Sequence, residues 1–499
     1  MKKLINKIKT FFLENPLITT LFVLSTLFFL IQHYFDFGWD FAAYIINAKY
    51  LFYGGNYYEV YRAPLISIIM APLLLLGKAS QYLYIFLVSS LFLFSVKKLS
   101  DALYEKYFNK FNITKKTTLF LFYFFSLNFF VLTFAFMAGT ELLALAFFQL
   151  FLAYFILNKN SGHWLALAFL SRYNFFVFVP FLFFNRSIKK ILKNLGLFFI
   201  IAFPWLLFNK IRWGNFFTSI ADAFYLNVFS RLDRWELFHF DSLLNILNWF
   251  LPFVIIGLLV PIILLIRSKD WKLSSYKYEI LFAVIFLFFF YDIYTIPFKV
   301  IRYMFNMSLP IAFFSTLGSI FIIKNLRKKH LKKIFTIILL IGFLISLIIL
   351  GQHYFKIEAQ DVMYLEAAQG IKELGLTECQ ILSPHWVPVN YYTGNVRFFP
   401  YTIQESIDHN EIALIFYKYP TMDDKFNTSN LDGYPQLKRN ENYIIIANEN
   451  ITAENCIKNT GHSNPMISDA CQTLSKKFNS EFVSNTFLKT CRAINYLDF

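Results

Sequence analysis

Cysteine is absent from the first 378 residues of this 499-residue chain; Cys379, Cys456, Cys471 and Cys491 all lie beyond them. No Cys-x-x-Cys pair and no Cys/His zinc spacing occurs, which argues against a structural zinc module. Four cysteines in a polar tail predict up to two disulfides in an oxidising compartment, with three pairings open and buried free thiols as the alternative. Charge is also scarce, at 16% Asp, Glu, Lys and Arg, and acidic residues are scarcer than basic ones, 31 against 47. The resulting net charge of +16 is not a nucleic-acid signal. Residues 1–351 carry 35 Lys+Arg against 14 Asp+Glu, whereas residues 352–499 carry 12 against 17. The basic excess belongs to the apolar part and collects in short loops. No basic stripe with interleaved aromatics lies on a polar segment, so nucleic acid is excluded as a partner. There is no long low-complexity linker and no strong internal repeat, which excludes a solenoid.

What is present is hydrophobic. The chain is 57% apolar with 66 phenylalanines and a mean hydropathy of +0.50, against about 45–50% apolar for soluble domains. Several runs approach the roughly 20 residues that span a bilayer as a helix. The fold class expected is an α-helical polytopic membrane protein with about eleven transmembrane segments and a C-terminal extracytoplasmic α/β domain. Leu17 to Tyr34 is long enough to remain as a span and no small-residue cleavage pattern follows it, so no cleavable signal peptide is expected.

Charge orients the spans. Lys2, Lys3, Lys7 and Lys9 predict a cytoplasmic N-terminus at the plasma membrane. The run Pro64 to Leu76 contains Pro64 and Pro72 and is short for a span, so it reads as re-entrant. Residues 79–96 then form the second span, which keeps the six lysines of residues 97–116 inside. Further spans are expected at 117–136, 140–157, 193–209, 244–266, 279–296, 305–323 and 333–351. Residues 163–184, interrupted by Ser171-Arg172-Tyr173-Asn174, read as two short helices that cross and return with Arg172 at the outer turn. This divides the chain into a membrane domain, 1–351, with its first outer loop at 35–78, and an outer domain, 352–499. In the outer domain, Asp361 to Leu374 has helical periodicity; 380–383, 412–417 and 443–447 read as buried strands. Asn427 and Asn450 each begin an Asn-x-Ser/Thr glycosylation pattern.

The first outer loop concentrates ionisable residues at a bilayer edge, where they are costly unless paired or hydrated. Phe41, Tyr44, Ile45, Ala48, Leu51 and Phe52 recur at steps of three and four, an amphipathic helix expected to lie along the outer interface. Asp40 stands at its start, and Gly54-Gly55 ends it. Asp36, Glu59 and Arg62 share the loop. As a structural residue Asp40 would cap the helix, and each arginine would snorkel to lipid headgroups.

The order of these residues resembles the first outer loop of the GT-C superfamily, polytopic glycosyltransferases that use polyprenyl-phosphate sugars, among them protein O-mannosyltransferases and lipid A aminoarabinose transferases. The matching residues are Asp40, Tyr44, Ala48, Gly54-x-x-Tyr57 and Tyr61-Arg62-x-Pro64. Gly139-Thr140-Glu141, Leu167 to Tyr173, Trp213-Gly214-Asn215-Phe216, Arg302-Tyr303 and Tyr391-Tyr392-Thr393-Gly394 follow in the family's order. Many members have Asp-Glu where this chain has Asp40-Phe41, and Pro-Pro where it has Ala63-Pro64, which leaves the subfamily open.

The resemblance implies inverting transfer of a hexose, such as mannose, from a polyprenyl-phosphate donor in the membrane lipid to a protein, glycan or lipid acceptor outside the membrane. It implies Asp40 as the general base with Asp36 as rival. It also implies Arg302, then Arg172 and Arg62, on the donor phosphate, and Glu141 and Glu59 positioning the acceptor or a divalent cation. No metal-ligand constellation is visible. Asp292 is a candidate partner for Arg302 or Lys299, and His385-Trp386 is a candidate sugar contact or a core residue. The competing readings are a lipid-linked sugar flippase and a non-catalytic membrane scaffold.

Overall fold

The computed structural model describes residues 2–184, 187–227, 248–268, 276–295, 301–326, 328–354, 360–397, 402–417 and 428–458. Asn427, Cys471, Cys491, Lys299 and the side chain of Asp292 lie outside this set.

The chain begins with helices α1 (Lys2–Glu14) and α2 (Pro16–Phe35), the second opened by Pro16, which needs no helical N–H partner there. Helix α3 (Trp39–Tyr53) follows and stops at Gly54 in the left-handed region, φ 70°. Helix α4 (Leu65–Leu73) runs on through a 3₁₀ turn, Leu74–Leu76. Next come α5 (Ala79–Lys106), α6 (Lys115–Ser126), α7 (Phe129–Phe134), α8 (Glu141–Ile156) and α9 (Gly162–Ser171). A 3₁₀ run, Tyr173–Phe183, leads to α10 (Ile188–Trp213) and α11 (Thr218–Asn227). Beyond lie α12 (Leu251–Ser268), α13 (Lys277–Thr295), a 3₁₀ segment Ile301–Met307, α14 (Ser308–Asn325) and α15 (Lys329–Tyr354).

Among the described residues, five helical stretches are long and apolar enough to cross a membrane. They are Pro16–Phe35, Ala79–Lys106, Ile188–Trp213, Ile301–Asn325 and Lys329–Gln352. Shorter apolar helices occupy Leu65–Leu76, Glu141–Ile156, Gly162–Ser171, Tyr173–Phe183 and Leu251–Ile266. The expected span 117–136 is interrupted, because Asn128 caps α7 through its side chain and leaves α6 and α7 as separate pieces. The bundle is centred on α8 and α14, which bury nearly every side chain, whereas the apolar faces of α10 and α15 are largely exposed. An apolar exposed face on a long helix suits a lipid solvent. Where α12 crosses α14, a Cβ on Gly257 would lie 1.9 Å from the Phe314 carbonyl oxygen, and one on Gly318 would lie 2.2 Å from that of Phe253. Small residues there let two backbones meet.

Helix α3 departs from expectation. Phe41 to Ala48 are all buried, so the helix is enclosed and does not lie half-exposed on a surface. Besides the periodic positions Phe41, Tyr44, Ile45 and Ala48, the intervening Ala42, Ala43, Ile46 and Asn47 are buried as well. Part of the cover comes from the C-terminal portion. That portion contains α16 (Gln360–Glu373), β1 (Ile381–Leu382), α17 (Trp386–Asn390), β2 (Val396–Arg397), α18 (Ile403–Asp408), β3 (Ile412–Phe416), β4 (Gln436–Arg439) and β5 (Tyr443–Ile446). The sheet order is β2-β1-β3-β5-β4, parallel from β2 to β3 and antiparallel thereafter. Residues 412, 414 and 416 of β3 face one apolar cluster, and 413 and 415 face another. Burial on both faces explains why the central strands are unbroken apolar runs. A disulfide joins Cys379 to Cys456. Helix α17 packs against α3, and Tyr391, just after it, accepts at its carbonyl from Lys49 Nζ of α3 (2.5 Å) and at Oη from Gln81 Nε2 of α5 (2.8 Å).

Candidate active site

The loop after α3 is shaped by its own side chains. Asn47 donates to the Glu59 carbonyl (2.9 Å) and accepts from the Glu59 N–H (2.8 Å), a reciprocal pair that sets Glu59 over the helix. Ser67 Oγ donates to the Tyr44 carbonyl (2.9 Å) and ties α4 to α3. A second loop, residues 137–139, presses against the start of α3. A Cβ on Gly38 would lie 2.0 Å from the Met137 carbonyl oxygen. Gly139, at φ +75°, would drive a Cβ to 2.3 Å from the Phe41 ring. Glycine at both positions allows Glu141, the first residue of α8, to approach Asp40 in the first turn of α3.

These elements assemble a chain of alternating charge. Arg62 Nε donates to Glu59 Oε2 (2.6 Å), and its Nη1 lies 2.7 Å from Asp40 Oδ1. The other Asp40 oxygen, Oδ2, lies 2.6 Å from Arg302 Nη1. Arg302 Nε is 3.8 Å from Glu141 Oε1, beyond hydrogen-bond distance, and this buried N–H has no hydrogen-bond partner. Glu141 Oε1 lies 2.8 Å from Arg172 Nη1. Arg172 is where α9 ends and the 3₁₀ run begins, its backbone extended at φ −151°. Three carboxylates thus face three guanidiniums, and the formal charge of the cluster is zero.

Burial alone would raise the Asp40 carboxyl, but the guanidiniums of Arg62 and then Arg302 hold it well below the usual carboxylate range. Burial pushes the Tyr57 hydroxyl up, reinforced by neighbouring Glu59, so Tyr57 remains a neutral hydroxyl. It donates to Glu59 Oε1 (3.0 Å) and accepts from Trp386 Nε1 (2.8 Å). Burial also draws the Lys49 ammonium down to about 8.

All six of these charged residues line one cavity of about 890 Å³. Another wall is apolar, with Phe176 and Val179 from the 3₁₀ run, Phe198, Ala202 and Leu206 from α10, and Phe224 from α11. Trp39, Tyr57, Tyr61 and Trp386 line the cavity as well. Asp36, nominated with Asp40, does not: it is the C-cap of α2, and its N–H donates to the Gln32 carbonyl. Its nearness to Asp40 in sequence is not nearness to the cavity, because the chain turns between the two helices. Asn227 lines the cavity too, and nothing in the sequence separates it from other amide residues. Among the described residues no group of three or more His, Cys, Asp or Glu is placed to hold a metal ion.

A GT-C-like polytopic membrane fold accounts for this arrangement. The structure is similar to the crystal structure of ArnT from Cupriavidus metallidurans bound to undecaprenyl phosphate, at a TM-score of 0.57 and 11% identity, over 86% of this chain and 97% of that one. No protein-family model matches the chain, and no curated protein sequence does.

Proposed function

We propose that the protein is a glycosyltransferase that moves a sugar from a polyprenyl-phosphate donor to an acceptor at the extracytoplasmic membrane face. One observation carries the reading: a single cavity joins an apolar wall from α10, α11 and the 3₁₀ run to a cluster of three arginines and three carboxylates. An isoprenoid chain suits the first and a phosphate the second. The fold shared with an undecaprenyl-phosphate-bound protein supports the same donor class. Residues 1–351 are taken as the membrane-embedded transferase domain and 352–499 as the outer domain, with the N-terminus cytoplasmic.

In this reading Asp40 is the general base, and Asp36 is set aside because it does not line the cavity. The acceptor hydroxyl gives its proton to an Asp40 carboxylate oxygen while its oxygen attacks the anomeric carbon. The bond from that carbon to the phosphate oxygen breaks, and the electron pair leaves with the polyprenyl phosphate. Attack from the face opposite the leaving group inverts the anomeric centre. Arg302, whose Nε is an unused buried donor, is the first phosphate contact, with Arg172 and Arg62 beside it. Glu141 and Glu59 orient these arginines and the acceptor.

Asp40 paired to two arginines is a weak base, because a depressed pKa lowers the driving force for proton uptake. A donor phosphate competes for those guanidinium donors, and each hydrogen bond it takes returns basicity to Asp40. The base is thus restored as the donor arrives. The donor sugar is proposed to be a hexose, with mannose the first to try.

The test supplies purified protein in nanodiscs with labelled undecaprenyl-phosphate mannose, glucose and aminoarabinose and a crude acceptor extract. Labelled product from at least one donor is expected. No transfer from any donor, together with donor movement between leaflets of proteoliposomes, would overturn the proposal in favour of a flippase.

A further inference from the structure

Resting on that reading, we infer that Trp386 and Trp39 form a pyranose-binding subsite, so that the C-terminal portion supplies a specificity residue to the transfer site. Both indoles line the cavity. Their ring centroids are 4.6 Å apart and their planes meet at 84°, which makes a corner of two apolar walls. A pyranose presents a face of C–H bonds with hydroxyls at its rim, and a rigid aromatic surface beside polar groups matches that pattern.

The corner is held rigidly. The Trp386 indole N–H, its single polar atom, is committed to Tyr57 Oη at 2.8 Å. Tyr57 Oη in turn donates to Glu59, which holds Arg62, which holds Asp40. On its other side Trp39 is the residue immediately before Asp40 and lies 6.2 Å from the His385 ring, measured between centroids. The corner therefore has fixed geometry relative to the base. It is built from elements other than α10, α11 and the 3₁₀ run, which form the apolar wall. A lipid phosphate seated on the arginines with its chain against that wall leaves its sugar, or the sugar of an acceptor, for the indole corner.

The experiment compares wild-type protein with Trp386→Ala and Trp386→Phe in nanodiscs by native mass spectrometry and transfer kinetics. The ligands are undecaprenyl phosphate without a sugar, undecaprenyl-phosphate mannose, glucose and aminoarabinose, and free methyl pyranosides added to protein saturated with undecaprenyl phosphate. In the wild type at least one sugar-bearing ligand is expected to bind through its sugar. It would do so tenfold or more tightly than bare undecaprenyl phosphate, or as a free pyranoside. Trp386→Ala should remove that increment, raising the corresponding KM tenfold or more. Binding of bare undecaprenyl phosphate should stay within threefold. Trp386→Phe, which keeps an aromatic face but has no N–H, should recover part of the loss. Loss confined to lipid-linked sugars assigns the corner to the donor; loss confined to pyranosides assigns it to the acceptor. Equal loss for bare undecaprenyl phosphate, or no sugar increment in the wild type, would overturn the inference. Failure of the wild type to bind undecaprenyl phosphate at all would instead remove the proposed donor class on which it rests.

Discussion

Replacing Asp40 with Asn separates a catalytic carboxylate from a structural one. The substitution keeps the shape of the side chain and removes its charge. In the native site the two Asp40 oxygens are 2.7 Å from Arg62 and 2.6 Å from Arg302. Arg62 retains Glu59 at 2.6 Å after the change, but Arg302 retains only Glu141 at 3.8 Å. The cluster moves from formally neutral to +1. In the proposed role of general base Asp40 would contribute about 10²–10⁴-fold, so kcat should fall by that factor, which is roughly 2.7–5.5 kcal/mol of transition-state stabilisation.

Affinity for the lipid phosphate should move the other way. A hydrogen bond to a charged partner is worth roughly 1.5–3 kcal/mol, and Asp→Asn frees guanidinium donors for phosphate. Undecaprenyl phosphate should therefore bind to Asp40→Asn about tenfold more tightly. The assay pairs single-turnover transfer with equilibrium binding of undecaprenyl phosphate in nanodiscs. A variant that keeps kcat within threefold would remove Asp40 as base. A variant that loses kcat and phosphate affinity together would show that Asp40 holds the arginines in place and does no proton transfer.

Three further outcomes follow from the same geometry. Because Asp40 titrates well below the usual carboxylate range in the free site, kcat/KM should stay flat as pH falls toward about 4, the ordinary carboxylate value. The acid limb of kcat should lie at least one pH unit higher, since bound phosphate shares the arginines; coincident limbs would refute this coupling. The same depressed pKa stabilises the fold above the unfolded value, and that contribution is lost as pH falls through the folded one. Gly139→Ala adds a left-handed strain of about 1–2 kcal/mol and pushes a methyl to 2.3 Å from Phe41, for a total of roughly 2–5 kcal/mol. Gly214→Ala, at φ +81° with nothing within 4 Å, carries the strain alone, so its smaller drop in Tm in detergent is the control. Cys379→Ser opens a disulfide that spans 77 positions, worth about 4.5 kcal/mol by loop entropy; guanidinium unfolding monitored in the C-terminal sheet should shift accordingly.

The charged residues of the site were legible because ionisable groups beside long apolar runs are few and expensive. Glu141, Arg172 and Arg302 each stand out against a background that is 57% hydrophobic. Their pairing was not legible, since ion-pair partners depend on how loops fold back. The Asp40–Arg302 contact crosses most of the bundle in sequence, while Asp36, four residues from Asp40, lies outside the cavity. Strands β1, β3 and β5 were visible as apolar runs, whereas β2 and β4 were not. β2 is Val-Arg with only Val396 buried and β4 is polar with no buried residue, so neither forms the apolar run that marks the others. Trp386 could only be named as one of two options from sequence, because the contact that defines it is to Tyr57, 329 positions away.

The position of the charged cluster within its helices favours the proposed transfer over transport. Asp40 is in the first turn of α3, and Glu141 is the first residue of α8. Arg172 caps α9, and Arg302 is the second residue of the 3₁₀ segment before α14. Arg62 and Glu59 are in the loop between α3 and α4. Every member therefore sits at a helix end or in a loop. Transporters place their substrate groups near the bilayer midplane, in helices broken at their centres. In the proposed reading these helix ends lie at the outer headgroup level, where the phosphate and sugar are and where an aqueous acceptor can arrive. The carboxylate at the start of α8 also sits at that helix's positive dipole end, 2.8 Å from Arg172 Nη1. A site assembled at helix ends can handle the headgroup without carrying it through the membrane, which is what transfer requires and flipping does not.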